Sequence, residues 1–516
     1  MTFDEFPTLT TTTTKEVLES PLVVPAITIV WHPDLSRVGA MHGLGYLDEG
    51  EVLSLSRGSP LFARFTPEEM PLADPYLSRQ ACASLVRTKT GLRLVRMGSH
   101  TPMLLDGRPL VAEVSLSMAE LGVGRMLTIG HRILLCLHTT VLDREPDTTA
   151  HLGLIGNSDV IRAVRRAILS VADTDLPVLI RGATGTGKEL VAAALTKRSR
   201  RADKPFVAVN MGAIPASVAE SELFGHAKGA FTGATESRRG YFGEADGGTL
   251  FLDEIGLAST SVQAALLRTI ESGEIRPVGA PCGRKVDVRI LAATDAPLEE
   301  RCDSRRFSPP LLQRLKTVQI QLPLLHERRQ DIGELLRHFL EQFLGETGDL
   351  AKLKRPVTEA RPWLMADAVT PVALASWPGN VRQLRNFAAQ LAIANRGVAA
   401  ARLTPELRAF LDQPAEANKE TAGNAKEPLS RERLLKALER NDFQPARAAR
   451  DLGVSRTTVY AHIKNDPDLA KAWSISDEDL RKASQRGSGG ILETARALNV
   501  PVATLRLRMR KGAPKE

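Results

Sequence analysis

The chain has 516 residues, 43% of them hydrophobic and 25% charged, with a formal net charge of +8, so it has room for three or four domains with proper cores. No apolar run approaches ~18 uncharged residues and the opening MTFDEFPTLTTTTT lacks a basic-then-apolar signal, which predicts a soluble cytoplasmic protein with no membrane partner. Cys82, Cys136, Cys282 and Cys302 show no CxxC or metal-like spacing and are expected to be reduced, mostly structural thiols.

The first ~145 residues read as short alternating strands with recurring turn residues, among them Ala26–Trp31 and Ile133–His138, and predict a β-sandwich. The order Leu53-Ser54-Leu55-Ser56-Arg57, Asp74-Pro75-Tyr76-Leu77-Ser78-Arg79, Gly98-Ser99, Asp106-Gly107 resembles a forkhead-associated domain, a binder of phosphothreonine peptides. The resemblance implies that Arg57, Ser78 and Arg79 read a phosphate, a role for which a guanidinium is suited. Three departures stand against it: Ser56 for the usual Gly, Ala81 for the usual His, and Thr101 for the usual Asn. Phosphopeptide binding therefore stays beside a degenerate, purely regulatory or dimerising domain. The polar, aperiodic stretch Asp143–Thr149 reads as a linker.

Next comes Gly182-Ala183-Thr184-Gly185-Thr186-Gly187-Lys188-Glu189, after the apolar Val178-Leu179-Ile180 and before the helical pattern of Leu190, Val191, Ala194 and Leu195. This is a phosphate-binding loop: Gly182, Gly185 and Gly187 let backbone N–H groups, that of Thr186 among them, turn toward phosphates at a helix N-terminus, and Lys188 adds a cation. Glu189 stands where Ser or Thr would ordinarily ligate magnesium. The buried-strand run Gly248–Leu252 ends in Asp253 and Glu254 at the edge where α/β sheets place ligands. Asp253 is expected to hold Mg2+, directly or through water, and Glu254 to orient and polarise the attacking water in ATP hydrolysis. A reading in which both acids merely cap the next helix stays open.

Between these elements, Ser221–His226 leads into Gly229-Ala230-Phe231-Thr232-Gly233-Ala234. A Phe among small, φ-permissive residues has no helix or strand period and is expected on an exposed, mobile tip. From Leu154-Ile155-Gly156 to the region of Leu411 the chain resembles the AAA+ ATPases of the sigma-54-dependent transcriptional activators, the bacterial enhancer-binding proteins, which also carry Glu at the position of Glu189. The resemblance implies that Gly229, Phe231, Thr232 and Gly233 touch sigma-54, and that Asn210, at the end of Phe206–Asn210, holds Glu254 aside until the γ-phosphate is sensed. Thr294 matches the first sensor. Asp295 replaces the usual Asn, and since an added carboxylate repels a triphosphate it is expected to point away or to tune turnover. Of two family arginines acting across subunits, Arg314 is retained and Ser308 replaces the other, with Arg305 and Arg306 nearby. An arginine finger is worth about 10³ or more in rate, so that loss matters. Arg314 as a surface residue paired with an acid is the plainer reading. Trp377–Leu384 resembles the second-sensor helix of an α-helical lid, with Arg382 reaching the phosphates of its own subunit.

After a flexible tether, Ser430–Glu516 holds 18 Lys+Arg against 11 Asp+Glu, an excess that suggests a polyanion partner. Pro445–Lys464 reads as helix, Gly453 turn, Ser455 cap and second helix, which is helix-turn-helix grammar. Arg456, Thr457, Tyr460 and Lys464 are left on the face that enters a major groove, and the segment resembles the Fis-type domain that ends most members of the family. A partial repeat 46 residues on, running from Ala495 to Met509, looks like a second helix-turn-helix that either reads more DNA or stiffens the first.

The fold expected is multidomain: a β-sandwich over 1–145, an α/β P-loop AAA+ ATPase over 152–325 with its α-helical lid over 326–411, a linker over 412–429, and an all-α helix-turn-helix region over 430–516. The function expected is activation of sigma-54 RNA polymerase from enhancer DNA, driven by ATP and Mg2+ in a ring, by resemblance a hexamer, under control of a signal such as a phosphothreonine protein or kinase. No metal site beyond nucleotide-bound magnesium is expected. A DNA-binding regulator with weak or no ATPase, and a P-loop ATPase with other clients, stand as alternatives.

Overall fold

The computed structural model describes residues 22–412 except 64–68, 99, 143–151 and 232–233, together with Leu434 and Ala437. Arg456, Thr457, Tyr460, Lys464, Thr232, Gly233, the repeat and most of both linkers lie outside the described residues. The chain divides into two compact units, Met1–Glu416 and Ala417–Glu516, and the first holds the strands and helices of residues 22–412.

The N-terminal part of this first unit contains strands β1 (Val23–Trp31), β2 (Met41–Gly43), β3 (Val52–Leu55), β4 (Ala83–Thr88), β5 (Gly91–Arg96), β6 (Met103–Leu105), β7 (Arg108–Pro109) and β8 (Glu113–Ser117), then helix α1 (Met118–Val123), β9 (Arg125–Ile129) and β10 (Ile133–Val141). They form two antiparallel sheets, β2-β1-β10-β9-β6-β7 and β3-β4-β5-β8. One core joins both, with Ile27, Ile29, Leu135 and Leu137 from the first sheet and Leu55, Leu85, Leu94 and Leu116 from the second. Antiparallel sheets commonly leave one face in water, yet β1 is buried from Val24 to Trp31 and β10 from Ile133 to Leu137. Both faces of these strands are covered, which accounts for their near-continuous apolar sequence where alternation was expected.

The second part runs α2 (Asp159–Val171), β11 (Val178–Arg181), α3 (Lys188–Lys197), β12 (Phe206–Asn210), α4 (Ala219–Phe224), α5 (Gly240–Glu244), β13 (Thr249–Asp253), α6 (Thr260–Ser272), the short β14 (Glu274–Ile275) and β15 (Arg284–Lys285), β16 (Arg289–Thr294), α7 (Leu298–Asp303), α8 (Pro309–Leu315) and β17 (Val318–Gln321). The main sheet is parallel, in the order β12-β13-β16-β11-β17. Parallel strands need both faces covered, and Leu250, Leu252 and Ala292 point into one core while Phe251, Leu291 and Ala293 point into another.

Helices α9 (Ile332–Glu346), α10 (Leu350–Leu353), α11 (Ala366–Leu374), α12 (Asn380–Ala394) and α13 (Pro405–Leu411) make a helical lid. Its core does not end at its own helices: Val30, Trp31, Leu35, Val38, Met126, Leu134 and Cys136 of the N-terminal domain belong to the same apolar cluster as Leu336, Leu340, Trp363, Val369 and Leu384. The outer face of β1, β9 and β10 is thus covered by the lid. Trp31 Nε1 donates to Leu364 O at 3.0 Å and the hydroxyls of Thr128 and Thr370 meet at 2.9 Å, both inside this contact.

Candidate functional site

Strand β11 ends where the chain must turn sharply, and Gly185 (φ 79°) and Gly187 (φ 105°) adopt positive φ there, a conformation glycine reaches without steric cost. Helix α3 starts at once from Gly187, so its free N–H groups face the turn. A cleft of about 550 Å³ opens above it, lined by Thr184–Leu190, by Asn210, Asp253 and Glu254 from the sheet edge, and by Arg382 from the lid. Residues spread over the chain are therefore gathered at one place. Lys188 Nζ donates to Gly182 O (2.8 Å) and Ala183 O (3.4 Å). Burial lowers its pKa, opposed by the charges of Asp295, Asp253 and Glu254. A cation held on the loop's carbonyls at a helix N-terminus, with two carboxylates lining the same cleft, fits a magnesium nucleotide. The apolar end, from Leu154, Ile155, Ile161, Leu335 and Phe339, suits a base.

The supporting contacts differ in part from expectation. Asn210 Oδ1 accepts from Gly212 N–H (2.8 Å), and Glu254 Oε2 rests over the same glycine, where an added Cβ would lie 2.4 Å from it. The two side chains thus share a glycine that carried no sequence signal. Asp295 does not point away: its Oδ2 accepts from Thr184 Oγ1 at 2.8 Å, so the carboxylate is tied to the phosphate loop. Thr294, 1% exposed, does not line the cleft: its carbonyl accepts from Gly182 N–H of the phosphate loop at 3.3 Å and its Oγ1 from Ala296 N–H at 3.0 Å.

The lid reaches the loop through Asn380, whose role the sequence did not disclose. Buried, at φ 51°, it accepts from Leu325 N–H (3.0 Å) and donates to Thr184 O (3.1 Å). Arg382 N–H donates to Gly185 O at 3.3 Å. Arg328 and Arg385 add two further cations to the wall.

Arg314 is outside this cleft, with its Nε 3.2 Å from Glu271 on an exposed surface. Ser308 caps α8, its Oγ accepting from Leu311 N–H while its own N–H donates to Gln263 Oε1 at 2.8 Å. In the loop after α4, Phe231 is 47% exposed, and the His226 ring lies tilted to it at 5.0 Å between ring centres. Gly229 N–H donates to Ala234 O (2.9 Å), closing the base of the tip.

A second cleft, of about 750 Å³, lies in the N-terminal domain and gathers Arg57, Ser78 and Arg79 with Ala81, Gly98 and Thr101. Arg79 is exposed, but Arg57 is turned onto the backbone of loop 74–77, with Nε donating to Asp74 O (3.0 Å) and Leu77 O (3.1 Å) and one Nη to Pro75 O.

The order of these parts agrees with three family matches: the sigma-54 interaction domain over 154–321, an AAA+ ATPase lid domain over 326–420, and a bacterial regulatory protein of the Fis family, a helix-turn-helix, over 427–465. The chain is 49% identical over 244 residues to the DNA-binding transcriptional regulator NtrC of Escherichia coli K12, a match covering 47% of the chain and 50% of NtrC, so it spans about half the length of that relative. To the transcriptional regulatory protein ZraR of Klebsiella oxytoca it is 40% identical over 330 residues, 63% of the chain and 72% of ZraR. A crystal structure of NtrX from Brucella abortus in complex with ADP is similar at 33% identity and TM-score 0.44, covering 62% of this chain and 70% of that one. With the phosphate loop, the acidic strand edge, the lid and the Phe231 loop all inside the matched segments, the chain belongs to the sigma-54-dependent transcriptional activators.

Proposed function

We propose that this activator hydrolyses ATP to remodel sigma-54 RNA polymerase at promoters, from enhancer DNA bound by its C-terminal region and in the cytoplasm. The observation that carries the reading is the convergence of Lys188, Asp253, Glu254, Asn210 and Arg382 on one cleft, in the same domain as an exposed Phe on a glycine-flanked loop. Asp253 would hold Mg2+, which when bound neutralises phosphate charge and helps align the leaving group. Lys188 would exchange the carbonyls of Gly182 and Ala183 for phosphate oxygens, the stronger acceptors. Glu254 would orient the attacking water and draw on its proton, with Asn210 governing its approach through Gly212 and Thr294 completing the first sensor. Arg382 would bring the lid onto the phosphates.

Arg314, exposed and away from its own cleft, would reach a neighbouring subunit's nucleotide in a ring, for which a hexamer is the family's form. Gly229, Phe231, Thr232 and Gly233 would press on sigma-54, and Arg456, Thr457, Tyr460 and Lys464 would contact DNA. The two N-terminal sheets would form a forkhead-associated sandwich whose Arg57, Ser78 and Arg79 take a phosphothreonine partner. One observation favours the weaker-ATPase reading: Ser308 is committed to capping α8, so no guanidinium stands at that position.

The test is capture of purified sigma-54 by the full chain in ADP and aluminium fluoride. Capture that is lost in Thr232→Ala supports the reading. No capture with hydrolysis intact overturns the sigma-54 client, and neither capture nor hydrolysis favours the DNA-binding regulator with weak ATPase.

A further inference from the structure

Loop 74–77 of the N-terminal domain is gripped by two arginines from opposite sides. On the cleft side Arg57 donates to the carbonyl oxygens of Asp74, Pro75 and Leu77. On the other side the buried Arg132 donates through Nε to Asp74 Oδ2 at 2.9 Å. Its remaining nitrogens leave the domain altogether: Nη1 donates to Glu359 O and Ala360 O, each at 2.8 Å, and Nη2 to Val357 O at 2.9 Å, all three in the lid between α10 and α11. The guanidinium carbon of Arg132 lies 4.4 Å above the Tyr76 ring, whose hydroxyl donates to Thr358 O at 2.9 Å. The lid segment so held runs on through the buried Trp363 to α11 and then α12, which carries Arg382 into the nucleotide cleft.

We propose that Arg57 is a ligand-operated latch, reporting occupancy of the Arg57–Ser78–Arg79 cleft to the ATPase lid through loop 74–77 and Arg132. The latch rests on the phosphothreonine reading of that cleft. Neutral carbonyls hold Arg57 in the structure, and a phosphate dianion offers the guanidinium a full opposite charge and bidentate acceptors that the carbonyls lack. Redirecting Arg57 into the cleft removes three bonds from loop 74–77. The loop's other anchor is shared with the lid, so its shift is passed on to segment 357–360 by direct contact. Signalling of this kind needs no undocking of the N-terminal domain, whose side chains complete the lid's own apolar core.

The experiment uses the full chain, a fluorescent phosphothreonine peptide library of random flanking sequence, and its unphosphorylated twin. Affinity for a slowly hydrolysed ATP analogue is titrated with and without saturating peptide. The expected result is a change in the analogue's Kd of about fivefold or more, with a reciprocal change in peptide Kd when the analogue is present. Arg132→Gln is expected to bind peptide and lose the change. Tyr76→Phe, which deletes only the hydroxyl aimed at the lid, keeps the test open if Arg132→Gln fails to fold, and is expected to shrink the change to below about twofold. Peptide binding without any change in nucleotide affinity overturns the latch and leaves the phosphothreonine reading standing. Equal binding of the two libraries overturns both. A change that persists at full size in the folded variants overturns the route through Arg132 and Tyr76.

Discussion

Glu254 occupies the left-handed region at φ 54° and ψ 40°, a placement that costs a non-glycine residue about 1–3 kcal/mol and is commonly held where a site needs it. What gives its carboxylate room is Gly212, whose missing Cβ would stand 2.4 Å from Oε2. Gly212→Ala is therefore expected to displace Glu254 and lower kcat about tenfold or more, a cost of ~1.4 kcal/mol in the barrier, while nucleotide affinity stays within about twofold; steady-state hydrolysis and a binding titration separate the two. A second single-residue effect sits at the interface of β1 and β10. His138 donates through Nδ1 to Thr139 O (2.8 Å), so its Nε2 accepts from Thr28 Oγ1 (2.7 Å). Burial pushes its pKa below the ordinary 6.5, opposed by the Thr139 carbonyl and by Asp159. The unfolded chain then binds the proton more readily than the folded one, so stability falls as pH drops through 6.5 toward the lowered folded value. Urea unfolding at pH 7.5 and 5.5 is expected to show the loss, and His138→Gln to flatten part of it, since His32 and His42, also lowered by burial, continue to contribute.

At the scale of elements, the coupling between lid and phosphate loop passes through the first residue of α12. Asn380 joins Leu325 and Thr184 with one side chain and holds a positive φ that Asn tolerates better than most residues. Asn380→Gly keeps the backbone conformation and removes the side-chain bonds to Leu325, Thr184 and Pro378, which at about 1–3 kcal/mol for buried groups left unpaired is expected to weaken nucleotide binding about tenfold. Unchanged affinity for a fluorescent ATP analogue would show that Arg382 is placed without it. The motif around Asn380 was plain in the sequence, and its bond to Thr184 was not, because the two lie 196 residues apart. The same holds for Asp295, whose tie to Thr184 spans 111 residues; repulsion from phosphate was a sound expectation, but the loop's hydroxyl gives the carboxylate a partner.

For the first unit as a whole, the decisive feature is that N-terminal domain and lid share a core. Backbone approach is so close that a Cβ at Gly333 would lie 1.8 Å from Val30 O, and Arg337 Nη1 donates to Leu35 O at 2.6 Å. Trp31, 1% exposed, is the largest N-terminal side chain in the contact. Trp31→Ala is expected to cost about 3–5 kcal/mol and to lower the melting of N-terminal domain and lid together in calorimetry, along with ATP hydrolysis. Loss confined to an N-terminal transition, with hydrolysis intact, would mean that the lid's core stands without it.

The family was legible in the sequence alone, and so were the phosphate loop, the acidic strand end and Arg382, which the structure brings to one cleft. Phosphate binding is built from short-range pieces, a glycine-rich turn, a lysine and an acidic strand end, whose spacing survives in one dimension. The tertiary structure alone decided what those pieces lean on. Gly212 beneath Glu254, Asn380 on Thr184, Arg57 folded onto loop 74–77, and Trp31 bonded to Leu364 across 333 residues are contacts between segments distant in the chain. The continuous apolar runs of β1 and β10 carried the one hint, since strands half in water alternate and these do not. What covers their second face depends on where the lid packs, and that is settled by the shape and burial of the assembled unit.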